Sequence, residues 1–316
     1  MDRSSLDFLL EVLEGQRRVF YYAKDEYARY LIERQTLPAA QKIKTIANGR
    51  WGRLLERPLL KDALGQWGDG MLDFDRLQLL RSVDPLSFRL SFGQWGQQRH
   101  FSQNWAQTSR PGYNLVLQLN FASDHNRAYQ QLIDGRQRHP FKYWAHPSRA
   151  AGNDFTLAWA RIDLSENLDE ALIEEVQTDW WKAANEEVIE RRHRKRDANG
   201  NWMEWTTKRS RHSLELEQYE HYLQQVLKAY GEVWAEAMLT ATLRFLWEEI
   251  GVSRIFYHTY DAGCILKNCK PPKSLYTQLP KRFCFEKTTA VPNFLEKRVK
   301  KLFPKPDSKP AFWLLQ

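Results

Sequence analysis

Apolar residues recur at helical intervals in the first part of the chain. Leucine and aromatic side chains return every three or four residues from Leu6 to about Leu64, as they do in amphipathic helices. Pro38, Pro58 and a cluster of glycines interrupt this pattern, because proline and glycine break helical hydrogen bonding. We therefore predict an N-terminal helical region of three or four helices over residues 1–84.

Strict alternation of apolar and polar residues replaces the helical period after residue 84. Ser87–Phe92 and Tyr113–Phe121 carry apolar side chains at every second position, which predicts two strands. Phe155–Ile162 and Ala171–Gln177 are two further strands, and the turn-forming residues between them favour an antiparallel pair.

A long amphipathic helix is predicted over about 214–250, and Val252–Tyr260 contains the strand that follows it. The order strand, helix, strand places this strand beside Ala171–Gln177 and parallel to it. A short helix at Lys273–Leu279 and a last strand at Arg282–Thr288 complete the pattern. The predicted fold is α/β (α+β), with a mixed sheet flanked by helices.

Composition excludes an integral membrane protein. The chain is 42% hydrophobic and 27% charged, and it contains no run of about 18 apolar residues. Acidic and basic residues interrupt the first apolar residues, so we expect no secretory signal and a cytoplasmic location. The three cysteines, Cys264, Cys269 and Cys284, are predicted to be free thiols, and their spacing does not favour a zinc site.

Positive charge is concentrated in two segments. Residues 191–212 hold eight basic residues against two acidic ones, and residues 297–310 hold six against one. Because the whole chain has a formal charge of +8, the remainder is mildly acidic. Such clustering is typical of a surface that contacts phosphate groups, although charged runs are also common in solvated loops and tails.

The first basic segment also carries two tryptophans near a predicted Asn199-Gly200 turn. Arginine together with exposed indole rings suits single-stranded nucleic acid, while the alternative is that the tryptophans pin the loop to the domain. The candidate nucleic-acid-binding residues are Arg191, Arg192, Arg194, Lys195, Arg196, Trp202, Trp205, Lys208, Arg209 and Arg211.

A polar row follows the fourth predicted strand. Alternate residues of a strand share a face, so Glu175, Gln177 and Asp179 project to one side. The neighbouring parallel strand offers His258, and a carboxylate near an imidazole is a reasonable general-base pair that can titrate near neutral pH. The alternative is a hydrogen-bonded network that caps the nearby tryptophans and helix ends.

The segment KSLYTQLPKRFCFEK at Lys273–Lys287 resembles the second half of a GNAT acyltransferase. In that family a short helix with a tyrosine precedes a leucine and a glycine-phenylalanine pair that lead into the final hairpin. Here Pro280-Lys281-Arg282 is inserted and Cys284 stands where glycine is usual. The resemblance implies a GNAT-like fold, with Tyr276 as the acid that protonates the leaving thiolate.

A second likeness lies in LIEEVQTDW at Leu172–Trp180, followed later by a helix and GVSRIFYHT. It resembles a domain of the large polyvalent proteins of phages and conjugative elements, which typically reads Ile-Glu-Glu-Ile-Gln-Ser-Asp-Trp. The two resemblances together cover residues 85–296, with a basic insert at 191–212 and a basic tail at 297–316.

The resemblance to GNAT enzymes implies acyl-CoA as the donor, but one family motif is absent. GNAT enzymes bind the pyrophosphate through a Gln/Arg-x-x-Gly-x-Gly/Ala loop before the long helix, where backbone N–H groups face the phosphates. About 35 basic and polar residues occupy this place here. The donor is therefore left open.

Three hypotheses follow. The first is an acyltransferase-like enzyme, with Glu175 as its base, that acts on a nucleic acid or a nucleic-acid-bound protein in phage or mobile-element conflict and antiviral defence. The second is a non-catalytic module that binds DNA or RNA on a degenerate GNAT-like fold. The third is an interaction protein that docks a partner through its aromatic-rich residues 1–84.

Overall fold

The structure is a computed structural model. It describes residues 1–14, 18–36, 39–80, 82, 84–96, 106–133, 141, 143, 146–148, 155–193, 216–304 and 310–316, with the backbone alone described at 36, 190–193 and 216.

The fold is mixed α/β, as the sequence pattern predicts, and it is built on an eight-stranded sheet with the strand order β1-β4-β5-β6-β7-β8-β10-β9. Strands β7 and β8 are parallel, and the other neighbours are antiparallel. Strands β2 and β3 form a separate small sheet. The strands are β1 (Arg18–Tyr22), β2 (Gln41–Lys42), β3 (Met71–Leu72), β4 (Leu86–Gly96), β5 (Tyr113–Phe121), β6 (Thr156–Leu164), β7 (Glu170–Gln177), β8 (Arg254–His258), β9 (Glu286–Thr288) and β10 (Phe312–Leu315).

Helices lie before, between and after the strands in the chain, and they pack on the sheet. The described α-helices are α1 (Arg3–Leu13), α2 (Glu26–Thr36), α3 (Ile43–Ala47), α4 (Gly52–Leu55), α5 (Pro58–Leu64), α6 (Phe74–Leu79), α7 (Ser123–Leu132), α8 (Trp180–His193), α9 (Leu216–His221), α10 (Lys228–Arg244), α11 (Tyr260–Lys267), α12 (Lys273–Arg282) and α13 (Glu296–Leu302). A π-helical turn at Tyr222–Leu227 joins α9 to α10, and a second at Phe245–Ile250 extends α10, so that one long helix covers 216–250. In the part of the chain that the structure covers, no helix combines the length and the apolar character needed to cross a membrane.

Three predictions about the sheet are confirmed. Strands β6 and β7 form an antiparallel pair, the long helix follows, and β8 lies parallel to β7. The apolar alternation of β5 is also as predicted: Leu115, Leu117 and Leu119 are fully buried on the face across which α10 packs. Burial of such a face against an amphipathic helix is the main source of stability in a two-layer fold.

The ends of the chain depart from the prediction. Residues 1–84 are not entirely helical, because β1 pairs with β4 at the edge of the main sheet. The predicted strand at Arg282–Thr288 is wrong in its first half, since α12 continues to Arg282 and only Glu286–Thr288 is a strand. Residues 297–302 of the second basic segment lie in α13, and β10 lies between β8 and β9 inside the sheet.

The second face of the sheet is polar although it is buried. Asn114, Gln118 and Asn120 of β5 are each less than 3% exposed. Hydrogen bonds satisfy part of this face: Ser91 Oγ donates to Gln118 Oε1 at 2.8 Å, and Asn120 Nδ2 donates to Ser91 Oγ at 2.8 Å. Burying polar groups costs free energy unless they are hydrogen-bonded, so a buried polar face indicates a functional site.

Cys284 occupies the residue after the C-cap of α12 with a φ of 59°, in the left-handed region. The Phe285 N–H donates to Pro280 O at 3.0 Å and the Cys284 N–H to Lys281 O at 3.1 Å, which is the pair of bonds of a Schellman motif. That motif favours glycine at this position, because glycine adopts a positive φ without strain.

We predict that Cys284→Gly leaves the free energy of unfolding within about 1 kcal/mol of wild type, because relief of left-handed strain offsets the loss of the buried thiol. Cys284→Val lowers it by about 2 kcal/mol or more, since a β-branched residue fits this φ poorly. Urea denaturation of the two variants measures the difference, and equal losses in both would contradict this account of the turn.

Candidate active site

A β-bulge in β7 sets the geometry of the site. Ile162 of β6 pairs with Ile173, and the next pair is Arg161 with Glu175, so Glu174 is an extra residue. The pairing of β7 with β8 also stops at Ile173. The bulge breaks the simple alternation that the sequence predicts, because an inserted residue shifts the side chains that follow it.

Both carboxylates at the bulge reach groups held by the same loop over 106–110. Glu174 contacts Ser109, while Glu175 contacts Arg161, which in turn donates to the carbonyl oxygens of Ala106 and Gln107. The predicted pairing of Glu175 with His258 is therefore wrong: Nε2 of His258 lies 3.1 Å from Oε2 of Glu174.

A cavity of about 190 Å³ opens on the polar face of the sheet. We call it the polar cleft, and its lining consists of Trp95, Gln107, Tyr143, His146, Pro147, Trp159, Arg161, Glu175 and Gln177. Glu175 and Gln177 of the predicted polar row thus line one cleft. Asp179 does not line it directly but holds one of its lining residues.

Asp179 binds the imidazole of His146. Nδ1 of His146 lies 2.9 and 3.0 Å from the two carboxylate oxygens, and Asp179 also accepts the backbone N–H of Tyr143 at 3.1 Å. A proton on Nδ1 that is shared with a carboxylate leaves Nε2 as the basic nitrogen. The Gln177 amide nitrogen also lies 3.4 Å from Nδ1, so the described contacts orient the imidazole through Nδ1, the geometry of an oriented general base.

Sequence reasoning did not identify His146. It lies in the connection between α7 and β6, 31 residues before Gln177, and no spacing links it to the polar row. The sequence offers only a weak indication of its role. His146 stands next to Pro147 in a loop, and Asp179 is a carboxylate that needs a hydrogen-bond partner. The sequence also missed Ser109, Arg161 and Lys267, which are buried and partnered around the two glutamates.

Glu175 is held as an anion. Arg161 is 1% exposed and its Nε donates to Glu175 Oε2 at 2.8 Å, with Lys267 Nζ 3.8 Å from the same oxygen. Burial by itself raises the pKa of Glu175, but the charges of Arg161 and Lys267 outweigh burial and lower it. The prediction that Glu175 titrates near neutral pH is therefore wrong, because the carboxylate already has its counterions.

Ser109, Glu174, His258, Lys267 and Tyr276 form a second group, which we call the buried cluster. The Ser109 N–H and hydroxyl donate to Glu174 at 2.9 and 2.8 Å, and Ser109 Oγ lies 2.8 Å from Nε2 of His258. No described residue hydrogen-bonds Nδ1 of His258. Ser109 and Glu174 thus both contact Nε2 of His258. In a catalytic serine-histidine-acid triad the serine and the carboxylate contact different ring nitrogens, so this cluster is not such a triad.

The protonation states in this cluster follow from burial. Burial lowers the pKa of His258, so its ring is neutral, with the proton on Nε2 shared between Glu174 and Ser109. Burial raises the pKa of Glu174, but the hydrogen bond from His258 and the charges of Lys267 and Arg161 lower it by more, so the carboxylate is ionised.

Tyr276 and Lys267 fill the position where β7 leaves β8. The Tyr276 hydroxyl and the Lys267 ammonium donate to Glu174 O at 2.9 and 3.0 Å, and the two groups lie 3.0 Å apart. Both side chains are fully buried. Burial raises the pKa of Tyr276 well above its ordinary value, so the hydroxyl stays protonated and committed to the carbonyl. His258 and Tyr276 therefore do not join Glu175 and Gln177 in the polar cleft.

The opening between the parallel strands β7 and β8 is filled by the buried cluster. Helix α8 begins at Trp180, directly after β7, and Thr178 Oγ1 accepts the Trp181 N–H at 3.3 Å. The described residues at these two places therefore do not fit the acyl-CoA that the resemblance to GNAT enzymes implies.

The candidate nucleic-acid-binding residues fall mostly outside the described part of the chain. Arg191 and Arg192 lie in the last turn of α8, with only their backbone described. The others, Arg194, Lys195, Arg196, Trp202, Trp205, Lys208, Arg209 and Arg211, lie in the stretch 194–215 that the structure does not describe.

Among the residues with described positions, no group of three or more histidine, cysteine, aspartate or glutamate side chains could hold a metal ion. The three cysteines are free thiols, as predicted, and Cys284 is the most buried of them. Comparison with protein families, with curated proteins and with solved structures finds no match for this chain.

We predict that Glu174→Gln lowers the free energy of unfolding by ~3–5 kcal/mol, because the variant leaves Lys267 and Arg161 with one buried counterion instead of two. The exposed Glu166→Gln should change it by less than about 0.5 kcal/mol. Chemical denaturation of both variants is the measurement. A small, equal change in both would mean that the Glu174 charge does not compensate the buried cations.

A pH dependence follows from the neutral His258. Its folded-state pKa lies below the ordinary value near 6.5, so the unfolded chain binds more protons, and stability falls as the pH drops below about 6.5. Burial lowers the pKa of His125 to about 3, so His125 also makes the free energy of unfolding decrease as the pH falls. Glu174 does not contribute in this range, because its lowered pKa matters only below 4.5.

We therefore expect the slope of unfolding free energy against pH between 6.5 and 5.5 to be shallower in His258→Gln than in wild type. The difference approaches, at most, about 1.4 kcal/mol per pH unit, the value for one proton. Denaturation curves at four pH values measure it. Identical slopes would show that His258 is not a buried neutral imidazole.

Proposed function

We propose that this protein is a transferase-type enzyme on a GNAT-like fold that acts on a nucleic acid or a nucleic-acid-associated substrate, with its reaction in the polar cleft. The observation that carries the proposal is the His146–Asp179 pair, with Nδ1 of the imidazole 2.9 Å from the carboxylate. Such a pair beside a cavity is the ordinary arrangement for general-base catalysis.

The likeness to the GNAT fold is supported by the order of the elements. Strand β7, the long helix, the parallel β8, the short helix α12 with Tyr276 and the antiparallel β9 and β10 follow the family's order. The left-handed Cys284 at the family's glycine position supports it further. Fold alone does not define the reaction, so the activity is argued from the polar cleft.

In the proposed reaction His146 removes the proton from an acceptor amine or hydroxyl. The lone pair of the acceptor forms a bond to the carbonyl carbon of an activated acyl ester, and the bond from that carbon to the leaving oxygen breaks. The leaving oxygen keeps the bonding electrons and takes the proton back from the His146 imidazolium. Asp179 keeps the imidazole oriented and stabilises its charged form, as carboxylates do in acid-histidine pairs.

The second candidate is the non-catalytic nucleic-acid-binding module, and one observation favours it. The buried cluster fills the opening between β7 and β8, and Tyr276 and His258 are committed to structural hydrogen bonds. On this hypothesis the protein has a GNAT-like strand order but no catalytic activity, and the polar cleft binds a ligand without changing it chemically.

Mass spectrometry of short RNA and DNA oligonucleotides separates the two candidates. The protein is incubated with each oligonucleotide and a low-molecular-mass metabolite extract, and the mass of the oligonucleotide is measured over time. We predict a protein-dependent mass gain whose rate falls by about 100-fold or more in His146→Gln, since general-base catalysis contributes roughly 10²–10⁴-fold.

The matched control is His221→Gln, which changes an exposed histidine on α9 and should keep the wild-type rate. Asp179→Asn should also lower the rate while leaving oligonucleotide affinity unchanged. Oligonucleotide binding without any mass change would favour the binding module, and an unchanged rate in His146→Gln would contradict the proposed base.

A further inference from the structure

We propose that the polar cleft receives one nucleobase of a single-stranded nucleic acid. This inference rests on the proposed function, because it names the substrate group that enters the cleft. It is carried by the size of the cavity, by the rings that line it and by the polar atoms at its edge.

The size of the cleft limits the ligand to a small group. Pockets that bury a drug-sized ligand usually measure roughly 300–1,000 Å³, whereas this cavity measures about 190 Å³. A single heteroaromatic ring system is therefore a better match than a whole nucleotide. The sugar and phosphate of such a ligand lie outside the cavity, in solvent or against the protein surface.

Two of the aromatic rings that line the cleft are partly exposed. Trp95 comes from β4 and Tyr143 belongs to the loop that also carries His146, while Trp159 of β6 also lines the cleft but is only 1% exposed. The Trp95 indole is held in place, since Nε1 donates to Ala106 O at 2.6 Å and the Arg161 guanidinium lies 5.1 Å from its ring centroid. Fixed indole rings are the usual platforms on which unpaired bases stack.

The polar groups of the cleft are better suited to bind the edge of a base than to bind a phosphate. Glu175 is an anion that Arg161 already neutralises, so the cleft offers no uncompensated cation for a phosphate. Gln177 adds an amide whose nitrogen lies 3.4 Å from Nδ1 of His146 and whose oxygen is an acceptor, so it offers an acceptor to the donor atoms of a base edge. Nε2 of His146 lies on the same lining and provides the acceptor of the proposed proton transfer.

The chain also leads from the cleft to its most basic segment. Helix α8 begins at Trp180, one residue after Asp179, and runs for 14 residues to His193. At 1.5 Å per residue it is about 21 Å long, and Arg191 and Arg192 lie in its last turn. A nucleic-acid strand with one base in the cleft can therefore extend along α8 toward the backbone positions of Arg191 and Arg192.

Fluorescence of an eight-nucleotide single strand with one central 2-aminopurine tests the inference. Anisotropy of an end label on the same strand reports binding as a whole, and 2-aminopurine emission reports stacking of that base. We predict that the protein changes the emission, and that Trp95→Ala removes at least half of this change and weakens binding by roughly tenfold, the equivalent of about 1.4 kcal/mol.

The matched control is Trp67→Ala. Trp67 is also partly exposed and also has an arginine over its ring, since Arg76 lies 5.7 Å from its centroid, but it does not line the cleft. This variant should bind and quench as wild type does. A strand with an abasic site at the central position should bind about as weakly to wild type as the intact strand binds to Trp95→Ala.

The outcomes separate this inference from the function on which it rests. If the intact and abasic strands bind wild type equally, or if the emission change survives in Trp95→Ala, no base enters the cleft and the inference is overturned, while the proposed enzyme can still act on another group. If no strand binds at all, the nucleic-acid function itself fails. Base-dependent binding that is lost only in Trp95→Ala supports the inference.

Discussion

The structure depends on one constraint, the placement of two adjacent carboxylates inside the sheet at the bulge of β7. An unpaired buried carboxylate is too costly to retain, so Glu174 and Glu175 require buried cations and donors around them. Arg161, Lys267 and Ser109 supply these, and each is almost fully buried. This requirement draws the loop over 106–110 onto the sheet and fixes β7 against α11 and α12.

The same constraint divides the polar residues into two groups with different roles. On one side the buried cluster satisfies itself and closes the opening between β7 and β8. On the other side the polar cleft keeps a cavity, an oriented imidazole and an amide. The buried cluster therefore serves stability, whereas the proposed chemistry belongs to the polar cleft. The cleft lies next to the start of α8, whose last turn contains Arg191 and Arg192.

The sequence predicts the central strands and the long helix well, because alternation and helical period depend on local burial. It misses β1, whose five residues gain their partner only through the distant β4, and it leaves β10 unassigned for the same reason. In the site, Glu175, Gln177 and Asp179 are found by alternation, but the bulge that turns Glu174 toward His258 has no signal in the sequence. His146 comes from a loop, where neither period nor spacing identifies a residue.

If Asp179 orients His146 as a base, the imidazole must carry its proton on Nδ1. Two-bond ¹H–¹⁵N correlation spectra of histidine-labelled protein at pH 8 distinguish the two ring nitrogens. We expect a protonated Nδ1 and an unprotonated Nε2 for His146, with the preference lost in Asp179→Asn. A proton on Nε2 in the wild-type protein, unchanged by that substitution, would contradict it.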